Sequence, residues 1–358
     1  MMDTIRTATP EDGAEMLRIL ESSASKGGIE LLYTRRPDAY ASYMLESGEP
    51  RVFVSTDGDR VVGTAAELIR KVYIGGKPAR AGYVCGLKKD ADYDGLGFGL
   101  RFVRALQRDD IDFYYCSVVS ENTAAWKMFE KGRRVISVEP LESYTTFILN
   151  PKVRIRAPKN ALSFRRAADG DTSALLAFLN REGSRYDLFP VVESPEQFHG
   201  LSVKDFCLLT DGDEIIATAA LWNQTAYKQY VVKRYNGLLR YARLLNPLLS
   251  ALGYIRLPRE DVPLDFPMAS FFLVADGHSG LSREQISRIF LRRLTAEAAK
   301  TYGILVMGLP HRHFATPVLR GLPSIRFDTK LYALRFPWSG QEYGQVQRER
   351  LYPECGLL

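Results

Sequence analysis

Three closely spaced glycines are the part of this sequence whose residue types and spacing point most directly to chemistry. Gly95, Gly97 and Gly99 lie in DYDGLGFGLRFVRAL (92–106), after the apolar run GYVCGL and at the start of a helical pattern. Glycine leaves main-chain N–H groups uncovered, and the first turn of a helix adds unpaired N–H groups and a partial positive charge. An apolar strand, a glycine turn and a helix start together predict a binding site for a pyrophosphate.

Two other nucleotide-binding patterns fit this loop poorly. The Rossmann fingerprint is G-x-G-x-x-G, whereas the glycines here follow G-x-G-x-G. A Walker A loop ends in Gly-Lys followed by Ser or Thr, and that ending is missing from this stretch of sequence. A glycine-rich turn without a ligand remains the alternative interpretation.

The segments around this loop have counterparts later in the chain. TDGDRVVGTAA (56–66) and TDGDEIIATAA (210–220) share most of their residues, and IRTATPEDGAEMLRIL (5–20) resembles FRRAADGDTSALLAFL (164–179). Asp-Gly between apolar runs predicts a β-hairpin in each half, because glycine accepts a positive φ. The other pair predicts a strand, an Asp-rich turn and an amphipathic helix in each half.

A common order of later elements supports a duplication. In each half we expect a strand, a loop with a helix, a second strand and a final helix. The sequence therefore predicts two copies of one αβ unit. A basic, Pro-containing linker, NPKVRIRAPKN (150–160), would join the two copies. The expected ranges are 82–87, 97–108, 112–119 and 122–131 in the first half, and 270–275, 281–300, 303–309 and 314–321 in the second.

The composition is that of an ordinary globular protein. The 358 residues, of which 46% are hydrophobic and 25% charged, suggest two domains of about 150 residues each. No stretch of about 18 apolar residues predicts a membrane-spanning helix. The polar start MMDTIRTATPED does not resemble a signal peptide, and the four cysteines are far apart. We therefore expect a cytoplasmic protein with free, mostly buried thiols.

Charge is unevenly distributed along the chain. Residues 1–155 carry 22 basic and 22 acidic side chains, whereas residues 156–358 carry 26 basic and 20 acidic ones. The segment 227–267 alone has seven basic and three acidic residues. A modest basic excess usually serves solubility and sometimes attracts an anionic partner.

The N-terminal half resembles the GNAT (Gcn5-related N-acetyltransferase) superfamily. In that family a Gln/Arg-x-x-Gly-x-Gly/Ala loop holds the pyrophosphate of coenzyme A, and residues Asp94 to Gly99 occupy the same register. A second family signature, an Asn after a strand and a short helix ending in Tyr-Glu-Lys, is similar to SENTAAWKMFEKG (120–132). The resemblance covers residues 4–150, and the whole chain resembles tandem GNAT proteins, in which one copy often loses the cofactor.

The resemblance implies an α/β (α+β) fold of two tandem GNAT-like domains, each a mixed, mostly antiparallel twisted sheet flanked by helices. Residues 1–152 would form an acyl-CoA-binding domain and residues 160–340 a degenerate one, followed by a tail at 341–358. The glycine spacing of VADGHSGLSREQI (274–286) does not match the first loop, so we expect no coenzyme A in the second half. The implied cofactor is acetyl-CoA or coenzyme A.

The resemblance also implies a set of cofactor-binding residues. In the family, the strand before the loop splays away from the next strand and pairs with the acyl-pantetheine arm, which would bring the acyl carbonyl near a main-chain N–H. Two residues depart from the family pattern: Asp94 replaces a Gln or Arg, and Phe129 replaces a Tyr that donates a proton. The implied residues are Cys85, Gly86, Leu87, Asp94, Gly95, Leu96, Gly97, Phe98, Gly99, Asn122 and Phe129.

Acyl transfer to an amine would also need a base and an acid. Glu67, at the end of VVGTAAEL, and Glu121, after YYCSVVS, are the candidate bases, with a solvated surface glutamate as the alternative for each. Tyr114 and Tyr115 point to opposite faces of their strand, so one of them would face the cleft. Tyr115 is the candidate acid, with a core aromatic residue as the alternative.

The amine acceptor is expected to enter over residues 23–43, which correspond to the first helical segment of the family. Arg35-Arg36 in this segment could bind an anionic acceptor or form a solvated pair. HRH (311–313) has no third ligand nearby in the sequence, so no metal site is predicted.

The second half carries a long insertion at 227–267. Its alternation of leucines and arginines predicts an amphipathic basic helix that is interrupted or restarted at Pro247. The insertion could be a lid over the first half, a dimer or interdomain contact, a contact with an anionic surface, or a helix packed on the body of the protein.

The predicted function is therefore acyl-CoA-dependent N-acyl transfer to an unidentified amine, a small molecule or a protein N-terminus, with acetyl-CoA as the expected donor. A non-catalytic CoA-binding or interaction protein is the alternative, and Phe129 favours it. An RNA- or nucleotide-linked transferase ranks last. We expect no nucleic-acid and no membrane partner, and a homodimer is compatible with the sequence.

Overall fold

The computed structural model defines the fold across most of the chain. It describes residues 4–25, 27–93, 98–106, 108, 110–120, 122, 125, 127, 129, 136–242, 245–336 and 346–358. In the first half the strands and helices are β1 (Thr4–Thr7), α1 (Gly13–Glu21), β2 (Ile29–Thr34), α2 (Ala39–Met44), β3 (Glu49–Asp57), β4 (Arg60–Ile74), β5 (Lys77–Lys89), α3 (Phe98–Leu106), β6 (Phe113–Val119) and β7 (Ser137–Leu149).

The second half follows a similar order, but between its first helix and its hairpin the described residues contain no counterpart of β2 and α2, and a strand and two short helices follow that hairpin. Its elements are β8 (Ser163–Arg166), α4 (Thr172–Gly183), β9 (Phe206–Asp211), β10 (Glu214–Asn223), β11 (Gln229–Tyr235), α5 (Leu238–Ala242), α6 (Asn246–Ala251), β12 (Pro267–Val274), α7 (Arg283–Ala298), β13 (Leu305–Pro310), α8 (Thr316–Arg320) and β14 (Ser324–Arg335).

The segments that resemble each other in the two halves of the sequence also have matching local structure. Asp57 pairs with Arg60 across the β3–β4 turn, and Asp211 pairs with Glu214 across the β9–β10 turn. Gly58 and Gly212 have φ values of 59° and 57°, which is the left-handed conformation that glycine adopts without strain. Both Asp-Gly hairpins are confirmed.

An ion pair is repeated as well. Arg6 contacts the carboxylate of Asp12 at 2.7 Å, and Arg165 contacts Asp171 at 2.6 Å. In both copies the aspartate also accepts the main-chain N–H three residues before it and so closes the turn that leads into the helix.

Twelve of the described strands form one continuous sheet in the order β1-β3-β4-β5-β6-β14-β7-β13-β12-β10-β9-β8. The β5–β6 and β12–β13 pairs are parallel and the other pairs are antiparallel, so the expected mixed, mostly antiparallel sheet is confirmed. The last strand of each half has crossed to the other half: β14 lies between β6 and β7, and β7 pairs with β13. The halves divided at 152–160 in the sequence therefore complete one another's sheet.

Helices cover both faces of the sheet. Leu68 and Ile69, which are adjacent on β4, point to opposite faces and join different apolar clusters. Met16 of α1 and Tyr43 of α2 belong to the cluster of Leu68, whereas Phe102 of α3 belongs to that of Ile69. In the second half α4 and α7 enclose a third cluster with β9, β10 and β12.

One expectation about local structure needs correction. Residues 23–43, expected as a helical segment, are helical only from Ala39, where α2 begins. The strand β2 precedes it and pairs with β11 in a separate two-stranded sheet. The tail expected at 341–358 is described only from 346, and from Leu351 onward it is mostly buried against the core. The helix break expected near Pro247 is confirmed, because Pro247 lies in the first turn of α6. In the part of the chain that the structure describes, no helix is long and apolar enough to cross a bilayer.

Candidate active site

A gap between β5 and β6 opens the centre of the sheet. The two strands pair through Ala81–Phe113, Gly82–Tyr114 and Tyr83–Tyr115, and their register ends there. β5 nevertheless continues to Lys89 and β6 to Val119, each bound to its other neighbour. The expected splay is confirmed, and beyond Tyr83 the edge of β5 that faces β6 has no strand partner among the residues that the structure describes.

A β-bulge lies on β5 at this gap. Against β4, Cys85 pairs with Ala66 but Lys88 pairs with Thr64, so β5 carries one extra residue. Within this stretch Gly86 has φ +62°, and a Cβ built there would lie 2.1 Å from the hydroxyl oxygen of Tyr43. The bulge therefore requires glycine, and it redirects main-chain groups away from the regular ladder.

The gap leads into a cavity of about 1020 Å³ that reaches from the first half into the second. Its walls come from β5, β6 and α3 on one side, and from β7, the β2–β11 sheet and the central strands of the second half on the other. Most of the lining is apolar, as with Val84, Leu87, Phe102, Ile148, Tyr230 and Val306.

The structure locates part of the site expected from the sequence. Cys85, Gly86, Leu87, Gly99, Asn122 and Phe129 line the cavity. The Asn122 side chain accepts a hydrogen bond from the Ala125 N–H at 3.1 Å, as a residue that starts a short helix does. Phe98 begins α3, but its side chain is outside the described part. Asp94, Gly95, Leu96, Gly97 and Glu121 lie outside the described residues.

The thiol of Cys85 is present in the cavity wall as a free cysteine. Burial raises the pKa of this thiol to about 11, so the sulfur stays protonated near neutral pH. A protonated thiol is a weak nucleophile, and an acyl-cysteine intermediate is therefore not favoured.

Glu67 lies away from the cavity and is not a surface glutamate either. It is fully buried beneath α3, and its carboxylate contacts Arg51 at 2.8 Å. Arg51 also donates to the carbonyl oxygens of Ala105 and Leu106 at the end of α3. Burial raises the pKa of Glu67 to about 6, although Arg51 opposes the shift. These contacts anchor α3 to the sheet. Glu67 therefore does not lie where the sequence placed it, as a base near the acceptor amine.

Tyr115 is buried and packs against Tyr83, with 5.0 Å between the ring centroids. Tyr83, at the last paired position before the gap, lines the cavity, whereas Tyr115 does not. Its hydroxyl lies 2.6 Å from the Ser117 hydroxyl, and burial raises its pKa well above the usual value. Strand alternation could have pointed to Tyr83, because it shares the cavity face of β5 with Cys85.

A buried cluster of charges lies next to the bulge. The Glu46 carboxylate contacts the Arg35 guanidinium at 2.9 Å and the Lys228 ammonium at 3.2 Å. Burial opposes ionisation of Glu46, but the two cations outweigh it and lower the pKa of Glu46 to about 2. Lys228 also donates to the Leu358 main-chain oxygen at 3.0 Å. Three segments far apart in sequence therefore meet at this end of the cavity.

The predicted Arg35-Arg36 pair is divided between this cluster and solvent. Arg35 is 2% exposed and stacks on Tyr43, with its guanidinium carbon 3.7 Å from the ring centroid. Arg36 is exposed and binds Glu21. The hydroxyl of Tyr43 is buried and has no hydrogen-bond partner among the described residues. The Tyr43 hydroxyl lies between Arg35 and the bulge, and it donates no hydrogen bond to the described residues.

The histidines of HRH have separate environments. The ring of His311 hydrogen-bonds to the hydroxyl of Thr145 at 2.7 Å, whereas His313 is buried among aromatic rings. Burial lowers the pKa of His313 to about 3. Within the described residues no group of three potential metal ligands is found.

Comparisons with known proteins agree with this architecture. No protein-family model matches the chain, and no curated protein matches it in sequence. The structure of Saccharomyces cerevisiae N-myristoyltransferase with bound myristoyl-CoA is similar to it with a TM-score of 0.58, at 9% identity, over 98% of this chain and 90% of that one.

Bacterial structures match as well. A GCN5-related N-acetyltransferase from Sphaerobacter thermophilus matches 96% of this chain and 98% of its own, with 11% identity and a TM-score of 0.56. One from Anabaena variabilis matches 94% and 73%, with 11% identity and a TM-score of 0.53. At such identities the likeness concerns the fold. The chain has the GNAT fold, and the match extends through both halves.

Proposed function

We propose that this protein is an acyl-CoA-dependent N-acyltransferase. The observation that carries the proposal is the gap between β5 and β6, which joins an unpaired strand edge and a glycine bulge to one large cavity. The similarity in fold to N-acetyltransferases and an N-myristoyltransferase supports this chemistry. The acceptor would be an amine on a small molecule or at a protein N-terminus.

In the proposed complex the acyl-pantetheine arm pairs with the free edge of β5 along Cys85, Gly86 and Leu87. The pyrophosphate binds the glycine loop at 94–99, most of which lies outside the described residues. A main-chain N–H at the bulge faces the thioester oxygen. Such a donor stabilises the negative charge that develops when the amine attacks the carbonyl.

Proton transfer requires groups other than Phe129. We propose that Tyr83, hydrogen-bonded to Ser117, donates a proton to the leaving thiolate. Glu46 is the acidic residue of the described cavity wall, but two bound cations and a pKa of about 2 make it a poor base. Glu121 remains the proposed base for an amine that arrives protonated.

The size of the cavity bears on the substrates. Small-molecule sites commonly enclose roughly 300–1,000 Å³, and this cavity is about 1020 Å³ with predominantly apolar walls. An acetyl group and a small polar amine would leave much of it unfilled. We therefore propose that either the acyl group or the acceptor carries a long apolar chain. The proposed donors then include longer acyl-CoA molecules besides the expected acetyl-CoA.

Calorimetric titration with coenzyme A, acetyl-CoA, octanoyl-CoA and myristoyl-CoA tests the cofactor. We expect all four to bind, because they share the pyrophosphate, and we expect the longest chains to bind most tightly. Gly97→Glu should abolish binding by introducing a carboxylate into the loop, whereas Gly170→Glu, in open space, should leave it unchanged. Unchanged affinity in Gly97→Glu would remove the proposed loop from the site.

Turnover is tested by release of free thiol from the bound acyl-CoA with a panel of amines that includes lipophilic ones. A non-catalytic CoA-binding protein is the second candidate, because Phe129 cannot donate a proton. That candidate predicts tight binding without thiol release from any amine. Absence of binding to all four coenzymes would contradict both candidates.

A further inference from the structure

Exposed apolar side chains are concentrated in one part of this molecule. Nine large hydrophobic residues are exposed among those described, and seven of them lie between residues 238 and 262. The exposed fraction reaches 87% at Leu238, 66% at Tyr241 and 63% at Leu252. The interpretation of the insertion as a helix packed on the body accounts for none of these seven. They are Leu238, Tyr241, Leu245, Leu248, Leu252, Tyr254 and Val262.

Basic side chains accompany this apolar surface. Arg240 on α5 and Arg256 and Arg259 after α6 are exposed, as are Lys233 and Arg234 before α5. Lys233 binds Asp261, and the segment 227–267 as a whole has seven basic and three acidic residues. We call the seven exposed apolar residues and these five cations the apolar-basic face.

A second, smaller cavity lies under this face. It has a volume of about 280 Å³ and is lined by Leu239, Leu249, Tyr254, Ile255, Leu257 and Ile325, together with Ser324. Ile255, Leu257 and Ile325 also line the large cavity. The two cavities therefore share part of their apolar lining.

We propose that the apolar-basic face docks on the surface of an anionic lipid bilayer. The exposed leucines and tyrosines of α5 and α6 would enter the boundary between headgroups and acyl chains, while the arginines and lysines contact lipid phosphates. Charge complementarity selects this occupant over a second copy of the chain, because a symmetric dimer through the face would oppose two basic surfaces. This binding differs from membrane spanning, and it replaces the expectation that no membrane partner exists.

Docking would place the proposed site close to lipophilic molecules. An apolar chain that entered the small cavity beneath α5 and α6 would meet Ile255 and Leu257, which also line the large cavity. This route rests on the proposed function, but the docking itself does not, and it can be measured without turnover.

Flotation of the full-length protein with lipid vesicles tests the proposal. We expect binding to vesicles that contain phosphatidylglycerol, weak binding to pure phosphatidylcholine, and loss of binding at high salt, because the charges are exposed. Leu238→Asp should lower the partition coefficient about tenfold or more, since a leucine leaves the apolar region. Leu45→Asp, at an exposed leucine of the first half, is the matched control and should bind as the wild type does.

Charge is tested separately from apolar insertion. Arg240→Gln should weaken binding to anionic vesicles about fivefold, whereas Arg293→Gln, at another exposed arginine on a helix, should not. Equal binding to both kinds of vesicle, or equal loss in Arg240→Gln and Arg293→Gln, would overturn the proposal. So would a dimer in light scattering that Leu238→Asp converts to a monomer, combined with absence of wild-type protein from the floating fraction.

Discussion

Two hydroxyl groups meet at the gap between β5 and β6, where we propose that proton transfer takes place. Tyr83 and Ser117 come from the two strands that separate there, and their hydroxyl oxygens lie 2.6 Å apart. Because burial raises the pKa of Tyr83 well above its usual value, the phenol stays protonated at physiological pH. It can therefore act as a donor where Phe129 cannot.

Tyr83→Phe should lower kcat for thiol release about 100-fold while leaving KM for acyl-CoA nearly unchanged, because it removes a group used in proton transfer. Tyr115→Phe is the matched control, since this neighbouring ring lies in the core and should retain activity. Steady-state kinetics on both variants provides the comparison. Equal losses in the two variants would indicate a packing effect instead of proton donation.

The buried carboxylate of Glu46 should make stability depend on pH. Its pKa is about 2 in the folded protein, below the ordinary value of 4.5. A depressed pKa stabilises the fold above the unfolded-state value, so this contribution should be lost as the pH falls from 4.5 towards 2.

Glu46→Gln should cost about 3–5 kcal/mol of unfolding free energy at neutral pH, because Arg35 and Lys228 stay buried without their counter-charge. Glu15→Gln removes only an exposed pair with Arg18 and should cost about 0.5 kcal/mol or less. Urea unfolding at several pH values measures both variants. The deficit of Glu46→Gln relative to wild type should shrink in acid, and a deficit that is constant with pH would contradict the assigned pKa.

At the scale of elements, the bulge on β5 is the feature on which the proposed position of the main-chain donor depends. Gly86→Ala should strongly weaken acyl-CoA binding, because alanine at φ +62° is strained and its Cβ meets the Tyr43 hydroxyl at 2.1 Å. Gly48→Ala, in open space with ordinary φ, should have little effect. Titration calorimetry with coenzyme A measures the three proteins.

A second substitution separates the clash from the strain. Tyr43→Phe removes the hydroxyl that the new Cβ would meet, so the Gly86→Ala/Tyr43→Phe protein should bind more tightly than Gly86→Ala alone. Because the ring carbon next to the hydroxyl is still 3.0 Å away and φ is unchanged, recovery should be partial. Additive losses in the double variant would show that the two residues do not interact.

At the scale of the whole molecule, the exchanged strands make the two halves interdependent. Without β14, residues 1–155 would expose the edge of β6 and both edges of β7, and residues 156–358 would lack β7 between β13 and β14. Unpaired main-chain groups and exposed apolar surface both disfavour such fragments. The chain is therefore expected to fold as one unit despite its repeated sequence.

We expect a single unfolding transition for the full chain when circular dichroism and tyrosine fluorescence are followed together. Residues 1–155 expressed alone should lack a cooperative transition, and co-expression with 156–358 should restore it. Two separate transitions in the full chain, or a stably folded fragment 1–155, would contradict this dependence.

The local parts of the fold were predictable because short sequences encode them. Asp57-Gly58 and Asp211-Gly212 specify hairpins through glycine conformation, and Pro247 sets the start of α6. The environment of Arg35 was not predictable, because Lys228, which contacts the same Glu46 carboxylate, is 193 residues away. Tyr83 and Tyr115 likewise differ in access to the cavity only because β5 and β6 separate at that point.

The sequence by itself determined the two Asp-Gly hairpins, the Asp-rich turn before the first helix of each half and the glycine-containing segment after β5. These features depend on residue spacing and backbone preference, which act over a few neighbouring residues. Only the tertiary structure decided the strand exchange, the cavity between the halves and the exposure of the leucines on α5 and α6. Each of these depends on which distant segments of the chain pack together. The local periodicity of the sequence does not specify those contacts.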